Sequence, residues 1–357
     1  MPRWLLAASL LALCACGAQI GPRTVTHARF DYGEALARSA NEQLLLNLVR
    51  LRYRDNPMFL DVGSIVAQYS LAAGASVGTE LGNGDPSALL GANAGYAEQP
   101  AITYAPVAGE AFVTRLLMPI SPANLVLLSQ SGWSIERLLL CCVQKINGLR
   151  NAVGASGPTP DYVPAYDEFQ RVAKLLRQLQ VAGLIEAELV GDPKQETVQL
   201  RMVENPDGTL AAEIAEVRKL LQLAEGTVSF KVTPSLTRRG GNEVAIFGRS
   251  LLSVLFYLSQ AVEVPEVHQK EGRVTVTLDA NGKPFDWREA TGHLLQVRSS
   301  KERPADAAVA VPYRGFWFYL DDRDLNSKTT FSLLNYLFAL KAGSSDIQEP
   351  VLTLGVR

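Results

Sequence analysis

Asp322, Asp324 and Asn326 stand at the spacing of the first three ligands of a calcium loop, and Asp321–Asp322 is an adjacent acidic pair closing an aromatic run, Phe316, Trp317, Phe318 and Tyr319. Alternating oxygen donors can wrap a hard cation, and paired carboxylates beside aromatic rings can cut a glycosidic bond. The cation reading fails on two residues: Ser327 replaces the loop's glycine and Leu333 stands where the bidentate Glu belongs. Asp324 and Asn326 are therefore expected to cap a following helix. A sugar cleft using Asp321, Asp322 or Asp324 is the surviving enzymatic reading. Other templates also fail. Gly82-Asn83-Gly84 begins like a dinucleotide loop, but Ser87 holds the third glycine's place and the segment joins two strands. In Gly154-Ala155-Ser156-Gly157 the second glycine comes one residue early for a nucleophile elbow. His27, His268 and His293 are scattered and none is near a cysteine pair, so no metal or other cofactor is expected. Cys141 and Cys142 are neighbours, which rarely bridge each other; both are expected to be buried as small hydrophobes, with a bridge to a partner chain as the alternative.

The remaining cysteines carry different chemistry. Met1-Pro2-Arg3 supplies a positive charge and Trp4 to Leu13 is an apolar run, the layout of a secretory signal and too short to span a bilayer. The sequence Leu13-Cys14-Ala15-Cys16-Gly17 follows and resembles the lipobox of bacterial lipoproteins, which implies diacylglyceryl modification of Cys16 as the new first residue. Cys14 is a rival acceptor with bulky Leu13 before it, and a plain signal cut after Ala15 or Gly17 is the bland alternative. Gly17 after the cysteine, with no Asp there, resembles outer-membrane sorting. With 34 Lys plus Arg against 36 Asp plus Glu the chain is near neutral, which excludes a nucleic-acid partner, and attachment to a membrane would rest on acyl chains rather than on a basic patch.

These groups need elements to hold them. Residues 1–15 read as signal peptide and 16–29, with Gly17, Gly21 and Pro22, as a lipidated tether. From Asp31 to Arg54, Leu36, Ala40, Leu44, Leu48 and Leu51 recur at helical spacing, and Pro57 follows. Arg50, Arg52 and Arg54 at its end complement the helix dipole, with phosphate binding as the alternative. Residues 65–104 form a long hairpin of period two. Ile65, Tyr69, Leu71, Val77 and Leu81 lie on one face of its first strand, and Leu90, Tyr96, Ile102 and Tyr104 on the same face of its second. This face either packs on the protein's own helices or meets lipid. Lipid forbids open strand edges, so the second case requires several subunits closing one barrel. A helix over 121–148 and a Gly/Pro/Ser loop at 154–164 complete a helical domain, 30–153, and mark its boundary with a second domain, 154–357. There a helix from Phe169 to Leu179, a Gly183-Leu184-Ile185 exit and a strand pair at 186–190 and 197–203 resemble a winged helix in outline. Alternating helices and strands follow: helices near 211–223, 250–262, 286–295 and 326–340, strands near 227–232, 274–278, 316–320 and 351–355. The class is α+β: an N-terminal helix and long β-hairpin, then mixed helices and short antiparallel strands.

Two blocks, "NEQLLLNLVRLRYRDNPMFLDV" and "YRGFWFYLDDRDLNSKTTFSLL", resemble an uncharacterised group of proteobacterial lipoproteins. The resemblance implies compartment, not activity. The expected protein is thus anchored in the outer membrane through Cys16, with its body in the periplasm. Its expected work is as a non-enzymatic scaffold or assembly partner, with protein partners or self-assembly. The alternatives are a subunit of an oligomeric export channel built from the 65–104 hairpins, and a periplasmic hydrolase or sugar-binding protein.

Overall fold

The computed structural model describes residues 20–80, 87–106, 110–191, 197–203, 208–237 and 240–342, with 20–29 and the hairpin 60–106 described by their backbone. The fold is α+β. Its chain divides into two units, one made of residues 1–57 with 113–357, the other of Met58–Phe112.

The smaller unit is the hairpin. Strands β1 (Leu60–Glu80) and β2 (Ser87–Pro106) pair antiparallel from Leu60 opposite Pro106 to Glu80 opposite Ser87, with one bulge between Val62 and Ser64. The ladder is longer than the 65–104 expected. Phe59 and Phe112 flank it in sequence and meet edge to face, ring centroids 5.5 Å apart.

The larger unit begins with α1 (Ile20–Arg52). The expected tether is helical from Ile20 onward, because Gly21 and Pro22 fall in the first turn, where proline's missing N–H is not needed. Burial is confined to the last turns: Leu44, Leu48 and Leu51 are core as expected and Leu45 and Val49 join them, while Ala40 is exposed. The 121–148 segment is not one helix. It splits into α3 (Pro122–Gln130) and α4 (Ile135–Cys142), after α2 (Glu110–Leu117), because Gly132 adopts φ 91° between them. Ser121 caps α3 by accepting a hydrogen bond from Asn124 N at 3.3 Å.

From α4 the chain runs directly into β3 (Val143–Ile146) and β4 (Leu149–Arg150), then passes α5 (Asp167–Val181), β5 (Ile185–Val190), β6 (Thr197–Met202), α6 (Ala211–Leu221), β7 (Ser229–Thr233) and β8 (Glu243–Gly248). These strands form one six-stranded sheet in the order β4-β3-β8-β7-β6-β5. All its pairs are antiparallel except β7 with β8, which is parallel and departs from the expected antiparallel pattern. The strand pair with a winged-helix outline is thus one edge of a larger sheet. Residue 154 is no boundary, since β3 and β4 share this sheet with strands far beyond it. The Gly/Pro/Ser loop is tied down instead: Ala152 N bonds Ala165 O at 2.9 Å, and Thr277 Oγ1 donates to Pro160 O at 2.6 Å.

Next come α7 (Leu251–Ser259), capped by Ser250, then α8 (Glu266–Lys270) and α9 (Trp287–Ala290), capped by Asp286. The strand expected at 274–278 reduces to a single bridge, Leu278 to Pro284, and the 286–295 helix to one turn. A three-stranded sheet in the order β10-β11-β9 follows, from β9 (Arg298–Ser300), β10 (Ala307–Tyr313) and β11 (Phe316–Asp321), and the last described element is α10 (Leu325–Ala342). Helix α1 packs on α7 and β10. The strand expected at 351–355 lies outside the described residues.

Candidate functional site

The hairpin carries no charged residue between Asp61 and Glu80, nor between Asp85 and Glu98. In a β-strand successive residues alternate between faces, so register decides which residues share one. The register sets Leu71 opposite Tyr96, Val77 opposite Leu90 and Ile65 opposite Ile102, so these candidates do share a row. Tyr69 stands opposite Glu98, Ala67 opposite Pro100 and Tyr104 opposite Val62. Leu81 lies outside the described residues.

Glu98 and Pro100 therefore belong to the apolar row, an interruption that reading residue types along one strand passes over. They divide it. Above them lies an unbroken band from Leu71 to Thr79 on β1 and from Ala88 to Tyr96 on β2. Ile65, Ile102 and Tyr104 lie beyond the break. The band is about nine residues long on each strand, within the nine to eleven that a tilted strand needs to cross a bilayer. The opposite row over the same span places Gly74, Ser76 and Gly78 across from Asn93, Gly91 and Leu89. It is small and polar apart from Leu89.

Among the described residues β1 and β2 form a sheet of two strands only. A two-stranded ribbon is marginal in water and presents unpaired N–H and C=O groups along both outer edges. The glycines in its small row lose backbone entropy and pack no side chain.

The other candidates are engaged elsewhere. Asp324 caps α10 as expected, accepting from Ser327 N at 3.0 Å and from Ser327 Oγ at 2.6 Å. Asn326 does not cap; its Oδ1 accepts from Arg137 Nη2 at 2.6 Å, which fastens α10 to α4. Asp321 pairs with Arg298 at 3.3 Å and Asp322 with Lys328 at 2.5 Å, so the adjacent acids point to different partners rather than to one substrate. No cluster of metal-ligating side chains occurs among the described residues. His293 sits in a turn with φ 54°, not in a helix.

Cys141 and Cys142 are both fully buried and unbridged, and the hydrogen bond that the Cys142 thiol shares with Cys141, together with burial, pushes that thiol well up. They lie at a hub the sequence did not disclose. Arg249, with no exposed surface, donates from Nε to Ser156 Oγ at 3.0 Å, from Nη1 to Leu140 O and Val143 O at 2.9 Å, and from Nη2 to Asn151 O, and it stacks 3.7 Å from the Tyr257 ring centre. The serine of the near-elbow motif is thus an acceptor for a buried guanidinium. The two blocks quoted above also converge. Tyr53 Oη and His268 Nδ1 share a hydrogen bond of 2.7 Å, while Asp55 accepts from Tyr313 Oη and, at 2.8 Å, from Arg314 Nη2. Burial raises Tyr53 to about 12 and, with Arg273 nearby, holds His268 below its usual value, so both are neutral at pH 7. This junction fastens the end of α1 to the β10–β11 turn.

No helix among the described residues is long and apolar enough to cross a membrane. No protein-family model, no curated protein and no solved structure matches this chain.

Proposed function

We propose that this chain is a lipid-anchored outer-membrane protein whose copies each contribute the Leu60–Pro106 hairpin to one shared β-barrel, forming an export channel, with the larger unit serving as a non-enzymatic periplasmic scaffold. The observation that carries the reading is the hairpin register. It aligns two uncharged apolar stretches of bilayer-spanning length on one face and small or polar residues on the other, and among the described residues both edges are open. Membrane barrels combine an apolar outer face with a polar lumen, and closure removes the edges. Tyr96 ends the band and Tyr69, opposite Glu98, stands just beyond it, where interfacial aromatics belong.

Neighbouring residues on opposite faces supply the test. Ala75→Lys, in the middle of the band, costs about 2–4 kcal/mol per strand in lipid. It should abolish detergent-stable oligomers on native gels and conductance in planar bilayers. Ser76→Lys, one residue on and facing the lumen, should leave the oligomer intact and shift conductance toward anions. Wild-type protein that sediments as a monomer in mild detergent, or equal tolerance of the two substitutions, overturns the channel and leaves the scaffold alone.

A further inference from the structure

Within the larger unit a cavity of about 310 Å³ opens between the end of α1 and the segment around α9, walled by Arg52, Gln260, Glu263, Phe285, Trp287 and Arg288 among others. Arg52 is only 8% exposed, and it forms no ion pair among the described residues. Its hydrogen bonds both leave from Nη1, to Thr159 Oγ1 at 2.9 Å and Thr275 O at 3.3 Å, and its buried Nε has no acceptor. The Nε–Nη2 edge, through which a guanidinium grips a carboxylate with two parallel hydrogen bonds, is therefore unused. A second buried atom of the same wall is also unpartnered: Gln260 Oε1, an acceptor on a side chain 3% exposed. The contrast with Arg249 is direct, because that fully buried guanidinium uses Nε, Nη1 and Nη2 on protein oxygens. An uncompensated buried cation is costly, and so is each polar atom left unpaired; both atoms have almost no accessible surface, so a ligand bearing both complements reaches them through a small shift of the Arg52 and Gln260 side chains.

We propose that this cavity binds a small hydroxylated organic anion, of the sugar-acid or hydroxy-acid class, its carboxylate on Arg52 and a hydroxyl donating to Gln260. The acidic wall residues do not compete for Arg52: Asp286 is held by Arg288 at 2.6 Å, and Glu263 accepts from Ser299 Oγ at 3.1 Å. Phe285 and the buried Trp287, ring centroids 5.3 Å apart, give the apolar surface on which a sugar ring rests. The Arg-rich end of α1 thus does more than complement a helix dipole. The site lies in the larger unit, so it stands or falls independently of the barrel.

Calorimetric titration of the full chain in detergent tests it, with glucuronate and lactate as probes and glucose as the uncharged match. Saturable one-site binding of glucuronate or lactate, absent for glucose, is expected. Arg52→Gln should weaken it by about tenfold or more, the effect of losing a charge-assisted bidentate contact. Should that variant fail to fold, Val276→Trp fills the cavity from a position 36% exposed, leaves Arg52 in place and should abolish binding. The proposal is overturned by no saturable binding of either anion up to about 10 mM, a range in which any useful site would register. Equal binding of glucose, or undiminished binding in a folded Arg52→Gln or Val276→Trp protein, overturns it too.

Discussion

Arg249 and Arg52 are the same residue type at nearly the same depth, and what separates them is the supply of acceptors. Around Arg249 the end of α4 turns directly into β3 and leaves the carbonyls of Leu140, Cys141 and Val143 converging on one point, where the guanidinium and Asn151 Nδ2 satisfy them together. Removing the guanidinium strands several buried oxygens at once. Arg249→Met should cost about 3 kcal/mol in urea denaturation, and Arg249→Lys should recover little of it, because an ammonium cannot reproduce the fork. None of this was legible in the residue string. Arg249 stands alone between Gly248 and Ser250, and burial of a cation depends on carbonyls that tertiary structure brings from more than a hundred residues away. The same holds for Arg52, whose spacing reads as a dipole complement. By contrast, the burial of Cys141 and Cys142 and the capping by Asp324 were legible, because both follow from local apolarity and a local N-cap.

Among elements, the hairpin was the most legible because period two is sustained along both strands, broken only at Glu98 and Pro100, and α1, α5, α6, α7 and α10 followed from helical spacing and caps. What failed were short strands and breaks. β8 is buried on both faces over Val244 to Ile246, so it shows no alternation. The loop at 154–164 read as a linker from composition, yet arginines reach it: Arg54 Nη2 donates to Thr159 O at 3.0 Å. A glycine marks one close crossing in the larger unit. A Cβ on Gly248 would stand 2.2 Å from Ile120 O, a backbone atom that cannot swing aside, and Ile120 N is itself bonded to Arg249 O at 2.9 Å. Gly248→Ala should therefore cost about 2–3 kcal/mol by forcing the two segments apart, visible as a fall in denaturation midpoint with unchanged slope. Gly157→Ala, with open space around its Cβ, is the control.

For the whole molecule, anchoring and assembly are separable in the proposed arrangement. Several buried acyl chains hold a protein to lipid without any help from its fold, at about 0.8 kcal/mol per methylene. Cys16→Ala, combined with the Ala75→Lys substitution that blocks barrel assembly, should then shift the protein from the membrane fraction to the soluble periplasm, measured by fractionation. If Cys14 were the acceptor instead, Cys14→Ala in the same background would do so. Retention of both variants would remove the lipoprotein reading. The hairpin, meanwhile, is a continuous insertion: its unit runs from Met58 to Phe112 without interruption, and Phe59 and Phe112 bring its two ends together. This bears on the order of events in time. A segment that leaves and rejoins at neighbouring points, and whose strands pair only with each other, closes no loop that the larger unit needs for its own sheets. In the proposed arrangement the six- and three-stranded sheets can form in water before the hairpin meets lipid. A folded intermediate with its ribbon still unassembled is then the species that must be protected from aggregation on the way to the membrane.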